Sequence, residues 1–310
     1  MGKGSSASRA EKVFESWSFA STVRARPYMY KFSDQNYLTR EPGLWFPEAL
    51  MPLLKHPKVG ELVKERLVDI HIQHLLHFLD YTTKLEVAHV NRAVSAMIHG
   101  ALFYYFSEGE RCVALKLYTD EGYHALFSNE MAEQLARRFS LRRKKSGRIR
   151  QFDRIVSASP AEFKHLAAFV IAFVSETVIV EELSCLARSD LVPPVFNMFK
   201  DHLHDEAKHA VFFSECWVRL WPQLLPTEKN FVVDLLVKVI SVFGRPDTRF
   251  LLSALSFDPA LGRLVVADLK STWKSGVHRV LALTIKALRR TDLLDREVYL
   301  RKFQAAGLLS

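Results

Sequence analysis

The chain has 310 residues, 49% of them apolar and 25% charged, which is ordinary globular usage and excludes a chain disordered beyond its first ten residues. With twelve Gly and twelve Pro it lacks the regularly spaced turn signals of an all-β sandwich or barrel. Three scattered cysteines (Cys112, Cys185, Cys216) with no CxxC pair exclude a disulfide framework and point to a reducing cytoplasm, and the net charge of +9 suits an acidic partner.

Residues 1–10 read as a flexible tail. Residues 10–55 predict an irregular N-terminal cap of short helical pieces, interrupted by Pro27, Pro42, Pro47 and Pro52. From Val59 to about Phe106 the pattern is helical with a break near Asp80, and a second long amphipathic run opens near Ser107 and Glu108 and reaches residue 138. The segment RRFSLRRKKSGRIR then places eight Arg or Lys residues between Arg137 and Arg150. It reads either as a solvated inter-helix loop or as a docking patch for an acidic carrier protein. No binding motif or interleaved aromatics accompany it, so nucleic acid is not an expected partner. Ser159-Pro160-Ala161-Glu162 marks a helix start, and that helix is expected to run to about Arg188. Its stretch from Leu166 to Leu183 is nearly long enough to span a membrane, but Glu176 sits in the middle. A buried bundle helix with one functional carboxylate is the reading, with no membrane contact. Pro193 and Pro194 precede a helix over about 195–220, and residues 227–307 predict three or four more, broken at Gly244–Pro246 and Asp258–Pro259. Without a repeat or a linker, 1–310 reads as a single all-α domain whose bundle spans about 60–220.

Three Glu-x-x-His motifs occur, Glu86/His89, Glu121/His124 and Glu206/His209. With twelve histidines, about one is expected by chance, so position carries the argument. Residues three apart on a helix share a face, and a Glu and a His there reach one metal. Bundle di-iron sites place such a motif on each of two helices and a lone Glu on each of the other two. The chain order Glu86, Glu121-x-x-His124, Glu176, Glu206-x-x-His209 is that alternation. The spacings of 35 residues (Glu86 to Glu121) and 30 (Glu176 to Glu206) suit antiparallel hairpins, and the 55 between Glu121 and Glu176 leave room for a long crossover. An unpaired carboxylate in AFVSETVIV is costly, and a metal removes that cost. His202, Glu206 and His209 form an i, i+4, i+7 stripe, and Asp205 is a candidate acceptor for a ligand imidazole N–H. His89 lies outside the minimal pattern, either supporting the site or unrelated to it, with an extra ligand as the lesser alternative. The sequence leaves iron, manganese or a mixed pair open.

The segments LEVAHVNRAVSAMIHG (85–100), DEGYH (120–124), SETVIVEELSCLARSD (175–190) and HLHDEAKH (202–209) resemble the p-aminobenzoate N-oxygenase family of di-iron oxygenases. The resemblance implies a ferritin-like four-helix bundle with additional N- and C-terminal helices, and a homodimer. It also implies a seventh ligand, a His four residues before the last Glu, which is His202. The implied metal ligands are Glu86, Glu121, His124, Glu176, His202, Glu206 and His209, holding two Fe ions that activate O2. The implied reaction oxygenates an amine nitrogen toward hydroxylamine, nitroso and nitro products, with electrons from an external donor. The substrate is an arylamine or an amino-acid-derived amine, free or borne on a carrier protein. The alternatives are a di-iron hydroxylase or desaturase acting on carbon, and a non-catalytic ferritin-like metal-binding protein.

Overall fold

A computed structural model describes residues 7–26 and 30–309, the side chains of 274–280 excepted. Five short helices occupy the N-terminal segment: α1 (Arg9–Val13), α2 (Trp17–Ala20), α3 (Thr22–Ala25), α4 (Asp34–Tyr37) and α5 (Pro57–Gly60). Next come α6 (Lys64–Leu85), α7 (Asn91–His99), α8 (Glu108–Arg138), α9 (Gly147–Ala158), α10 (Lys164–Leu186) and α11 (Pro193–Leu220). The C-terminal part holds α12 (Pro226–Gly244), α13 (Thr248–Ala254), α14 (Pro259–Val280), α15 (Ala282–Leu288) and α16 (Glu297–Ala305). No strand occurs among the described residues, and no described helix is long and apolar enough to cross a membrane.

The order of the core contacts gives the topology. Apolar side chains form two clusters. Along α6 the chain passes from Leu75 and Leu79 in one cluster to Tyr81 and Leu85 in the other, and α11 follows the same sense, from Phe199 to Phe212. Along α8 and α10 the sense is reversed, from Leu117 to Phe127 and from Phe173 to Ile179. Helices α8 and α10 are therefore parallel to each other and antiparallel to α6 and α11. A parallel pair needs a long crossover, and residues 139–163 supply it, with Ile149, Phe152 and Val156 of α9 packed in the first cluster. The chain thus has a ferritin-like bundle with additional N- and C-terminal helices. On α8, α10 and α11 the switch between clusters falls at or beside the candidate ligands, and on α6 it falls between Leu79 and Tyr81, shortly before Glu86, so a polar layer divides the core.

Several local expectations change. Ser8 and Glu11 form a capping box, with Glu11 N donating to Ser8 Oγ at 3.2 Å, and Ala10 is fully buried. Helix therefore replaces the expected tail from Arg9 onward. Residues 1–6 of that tail and the interruption at Pro27 lie outside the described residues. Helix α6 runs unbroken through Asp80, which is held by Arg143 Nε at 2.6 Å. The irregularity comes later, as a turn of π-helix over Glu86–Val90. Ser107 opens α8 as expected, through a capping box with Glu110. The basic loop closes at Ser146, which caps α9, so Arg148 and Arg150 are helical. Every residue of α10 from Leu166 to Ile179 is buried. A single turn of 3-10 helix at Ala161–Phe163 delays its start to Lys164.

Candidate metal centre

Helices α6, α8, α10 and α11 each deliver acidic or imidazole side chains to the layer between the two apolar clusters. Glu86 enters from the π turn at the end of α6, a device common at functional sites because one extra residue re-aims the side chains around it. Glu121 and His124 enter from α8, Glu176 from α10, and His202, Glu206 and His209 from α11. All seven are buried.

Their polar atoms converge. Glu86, His124, His202 and Glu206 bring ligand atoms within 4.8 Å of one another, and so do Glu121, His124, Glu206 and His209. His124 and Glu206 belong to both groups. Glu206 Oε1 lies 3.1 Å from His124 Nδ1, 3.0 Å from His202 Nε2 and 3.4 Å from His209 Nδ1. His202 Nε2 also lies 3.2 Å from Glu86 Oε1, and His209 Nδ1 lies 2.8 Å from Glu121 Oε1. Glu176 stands at the edge, with Oε2 3.6 Å from His209 Nδ1. The structure thus brings together all seven residues named from the sequence.

Their charges are unbalanced without a ligand. Burial pushes Glu86 up to about 7. Burial, with repulsion from Glu206 and Glu121, pushes Glu176 well above the usual carboxylate range. Burial acts on Glu206 too, but His209, His124 and His202 together hold it well below that range. Against their own burial, His209 is raised by Glu206 and Glu121, and His124 by Asp205, Glu121 and Glu206.

A metal fits this arrangement. Both oxygens of Glu86 and Glu121, one oxygen each of Glu176 and Glu206, and Nδ1 of His124 and His209 are buried and, among the described residues, make no well-aligned hydrogen bond despite the short contacts above. Orphaned buried polar atoms are costly, and a cation among them satisfies the carboxylates and the imidazole lone pairs at once. Carboxylate oxygens with imidazole nitrogens are the donors that iron or manganese takes. Four carboxylates also match the charge of two divalent ions.

The outer faces of the imidazoles are held by partners of their own. His124 Nε2 faces Asp205 Oδ2 at 3.4 Å, and His209 Nε2 faces Asp120 Oδ2 at 3.3 Å. Asp205 is the acceptor expected from the sequence. Asp120 was not singled out there, although the repeat Asp-Glu-x-x-His at 120–124 and 205–209 carries the signal. The N-terminal segment holds both aspartates. Trp17 Nε1 donates to Asp120 at 2.8 Å, Ser21 Oγ donates to Asp120 at 2.5 Å, and Thr22 N donates to Asp205 at 3.0 Å. Phe14 stacks on the His209 ring, with centroids 5.9 Å apart. His89 is buried but faces away, its Nε2 3.4 Å from Asp153 Oδ1 and its ring against Phe152. Burial lowers it to about 4, and it joins neither group of candidate ligands.

A ferritin-like bundle with a buried carboxylate–histidine cluster, fit for metal ions, defines the class. The chain matches the p-aminobenzoate N-oxygenase AurF family over residues 10–291, most of its length, and it belongs to that family. Among curated proteins compared with it, none matches significantly.

Proposed function

We propose that the protein is a di-iron oxygenase that N-oxygenates an amine, with Glu86, Glu121, His124, Glu176, His202, Glu206 and His209 as its metal ligands. The main support is Glu206, a buried carboxylate common to both groups whose Oε1 lies within 3.4 Å of three imidazoles. When bound, two irons supply the reduction of O2 that oxygenates the nitrogen. The balanced first step takes an amine, O2, two electrons and two protons to a hydroxylamine and water, and the electrons come from an external donor. The chain's own residues prepare for that step. Asp120 and Asp205 accept from Nε2–H of His209 and His124, which fixes the tautomer that turns Nδ1 inward. The apolar clusters on either side exclude water. The substrate proposed is an arylamine or an amino-acid-derived amine, and the protein is proposed to act as a homodimer.

The test is metal analysis of protein grown with iron, followed by exposure of the reduced protein and a panel of amines to 18O2. About two irons per chain and label in a hydroxylamine support the reading. Label on carbon replaces it with a hydroxylase, and an unlabelled alkene product with a desaturase. Many irons and no product indicate storage, and no bound metal removes the proposal altogether.

A further inference from the structure

Outside the metal layer, the described surface contains a cavity of about 390 Å³ between the basic loop, the start of α9 and α13. None of the seven candidate ligands lines it. Its walls carry Arg143, Lys144, Lys145, Arg150 and Arg249, against one carboxylate, Asp247. That carboxylate is already engaged: Oδ2 accepts from Ser146 Oγ at 2.8 Å and Gly147 N at 2.6 Å, and Oδ1 accepts from Phe250 N at 3.3 Å. Arg143 is tied to Asp80 and Lys145 to Asp153. Among the described residues the side chain of Lys144 reaches only the Ser253 hydroxyl, at 2.6 Å, and that of Arg150 only the Lys145 carbonyl, at 3.4 Å. Neither they nor Arg249 has a carboxylate within ion-pairing distance among the described residues. An adjoining cavity of about 140 Å³ extends the cationic wall to Arg154.

The geometry points to a phosphate-binding cleft, which anchors an organic phosphate. Two guanidinium groups and an ammonium facing one hollow match a tetrahedral phosphate oxyanion, singly charged as a diester or doubly charged as a monoester, to which arginine offers paired donors. The hollow exceeds one phosphate, and Phe250, stacked on His77 at 4.0 Å, gives it an apolar wall for the attached organic group. His77 precedes Glu86 on α6 by nine residues, about 14 Å along a helix. The cleft and the metal layer thus lie along one stretch of helix. That the organic phosphate bears the amine rests on the oxygenase reading; the cleft itself does not. The phosphate belongs either to the arm of an acidic carrier protein or to a small free molecule.

Calorimetry on the metal-loaded protein at low salt tests this, with pantetheine 4′-phosphate as probe and inorganic phosphate as competitor. The probe is expected to bind and to be displaced by excess inorganic phosphate. The double variant Arg150→Ala/Arg249→Ala should weaken it about tenfold or more, with metal content unchanged. A carrier domain bearing the same arm binds tighter than the free arm if the carrier is the source; equal affinity identifies a small molecule. No binding of the probe, or wild-type affinity in the double variant, overturns the proposal. Because binding is read directly, either result stands whether or not the protein oxygenates an amine.

Discussion

Asp120 of α8 holds the imidazole of His209 on α11, its Oδ2 3.3 Å from Nε2, while Asp205 of α11 holds His124 of α8 at 3.4 Å. Each Asp-Glu-x-x-His motif therefore supplies the acceptor for the other motif's histidine, and the two helices are cross-tied through both rings. The carboxylate raises the basicity of each imidazole and fixes its orientation. Asp120→Asn removes the charge but keeps the shape. It is expected to lower metal affinity about 10–100-fold while leaving helical content intact. Chelator competition measures the affinity, and circular dichroism the fold. Wild-type affinity in both Asp120→Asn and Asp205→Asn would show that these residues tie helices together without tuning the rings.

Glu176 is buried, and burial with repulsion from Glu206 and Glu121 favours its protonated form in the metal-free protein. Glu176→Gln then replaces one neutral group by another of the same shape. The metal-free variant should unfold within about 0.5 kcal/mol of wild type. Bound metal should fall to about one ion per chain or fewer. Unfolding in the presence of chelator, beside metal analysis, separates the two effects. A large loss of metal-free stability would mean that Glu176 carries a structural hydrogen bond instead.

The candidate ligands were legible because a helix repeats. Glu121 and His124, like Glu206 and His209, lie three apart on one face, and an acid inside AFVSETVIV has few bland explanations. The 55 residues between Glu121 and Glu176 left room for the long crossover that joins the parallel α8 and α10. The N-terminal contribution was not legible. Trp17 meets Asp120 across 103 positions and Thr22 meets Asp205 across 183, and no periodicity links such pairs. Helix α9 was hidden by its charge, although Ile149, Phe152 and Val156 at i, i+3, i+7 already described its buried face. The break expected near Asp80 failed because the Arg143 that neutralises it lies 63 residues away.

Arg143 differs from its neighbours in the basic loop. It is 29% exposed, its Nε donates to Asp80 at 2.6 Å, and Nη2 donates to Asn129 at 2.9 Å, whereas Arg142 is exposed. Arg143→Ala leaves Asp80 buried without its partner and should cost about 1–3 kcal/mol. Arg142→Ala should stay within about 0.5 kcal/mol of wild type. Urea denaturation of the two variants checks this. Equal behaviour would mean that the Asp80 pair is too solvated to matter. Neutralising the whole loop therefore confuses folding with docking, which is why the cleft is better probed at Arg150 and Arg249.

Metal uptake should depend on pH in a direction the site dictates. Burial raises Glu86 to about 7 from an ordinary 4.5, and Glu176 is raised as well. His124 and His209 are also held above the ordinary 6.5. Near neutrality the metal-free cluster therefore keeps protons that a cation must displace. Raised acid groups lose their protons only as pH climbs past their folded values, so apparent affinity should rise as pH passes upward through about 7 and fall below it. Each proton released contributes about a tenfold change in affinity per pH unit. Calorimetric titration of the metal-free protein in buffers of different ionisation enthalpy counts the protons released. Affinity that is flat from pH 6 to 8 with no proton release would mean that the cluster, the imidazoles of His124 and His209 included, already stands deprotonated.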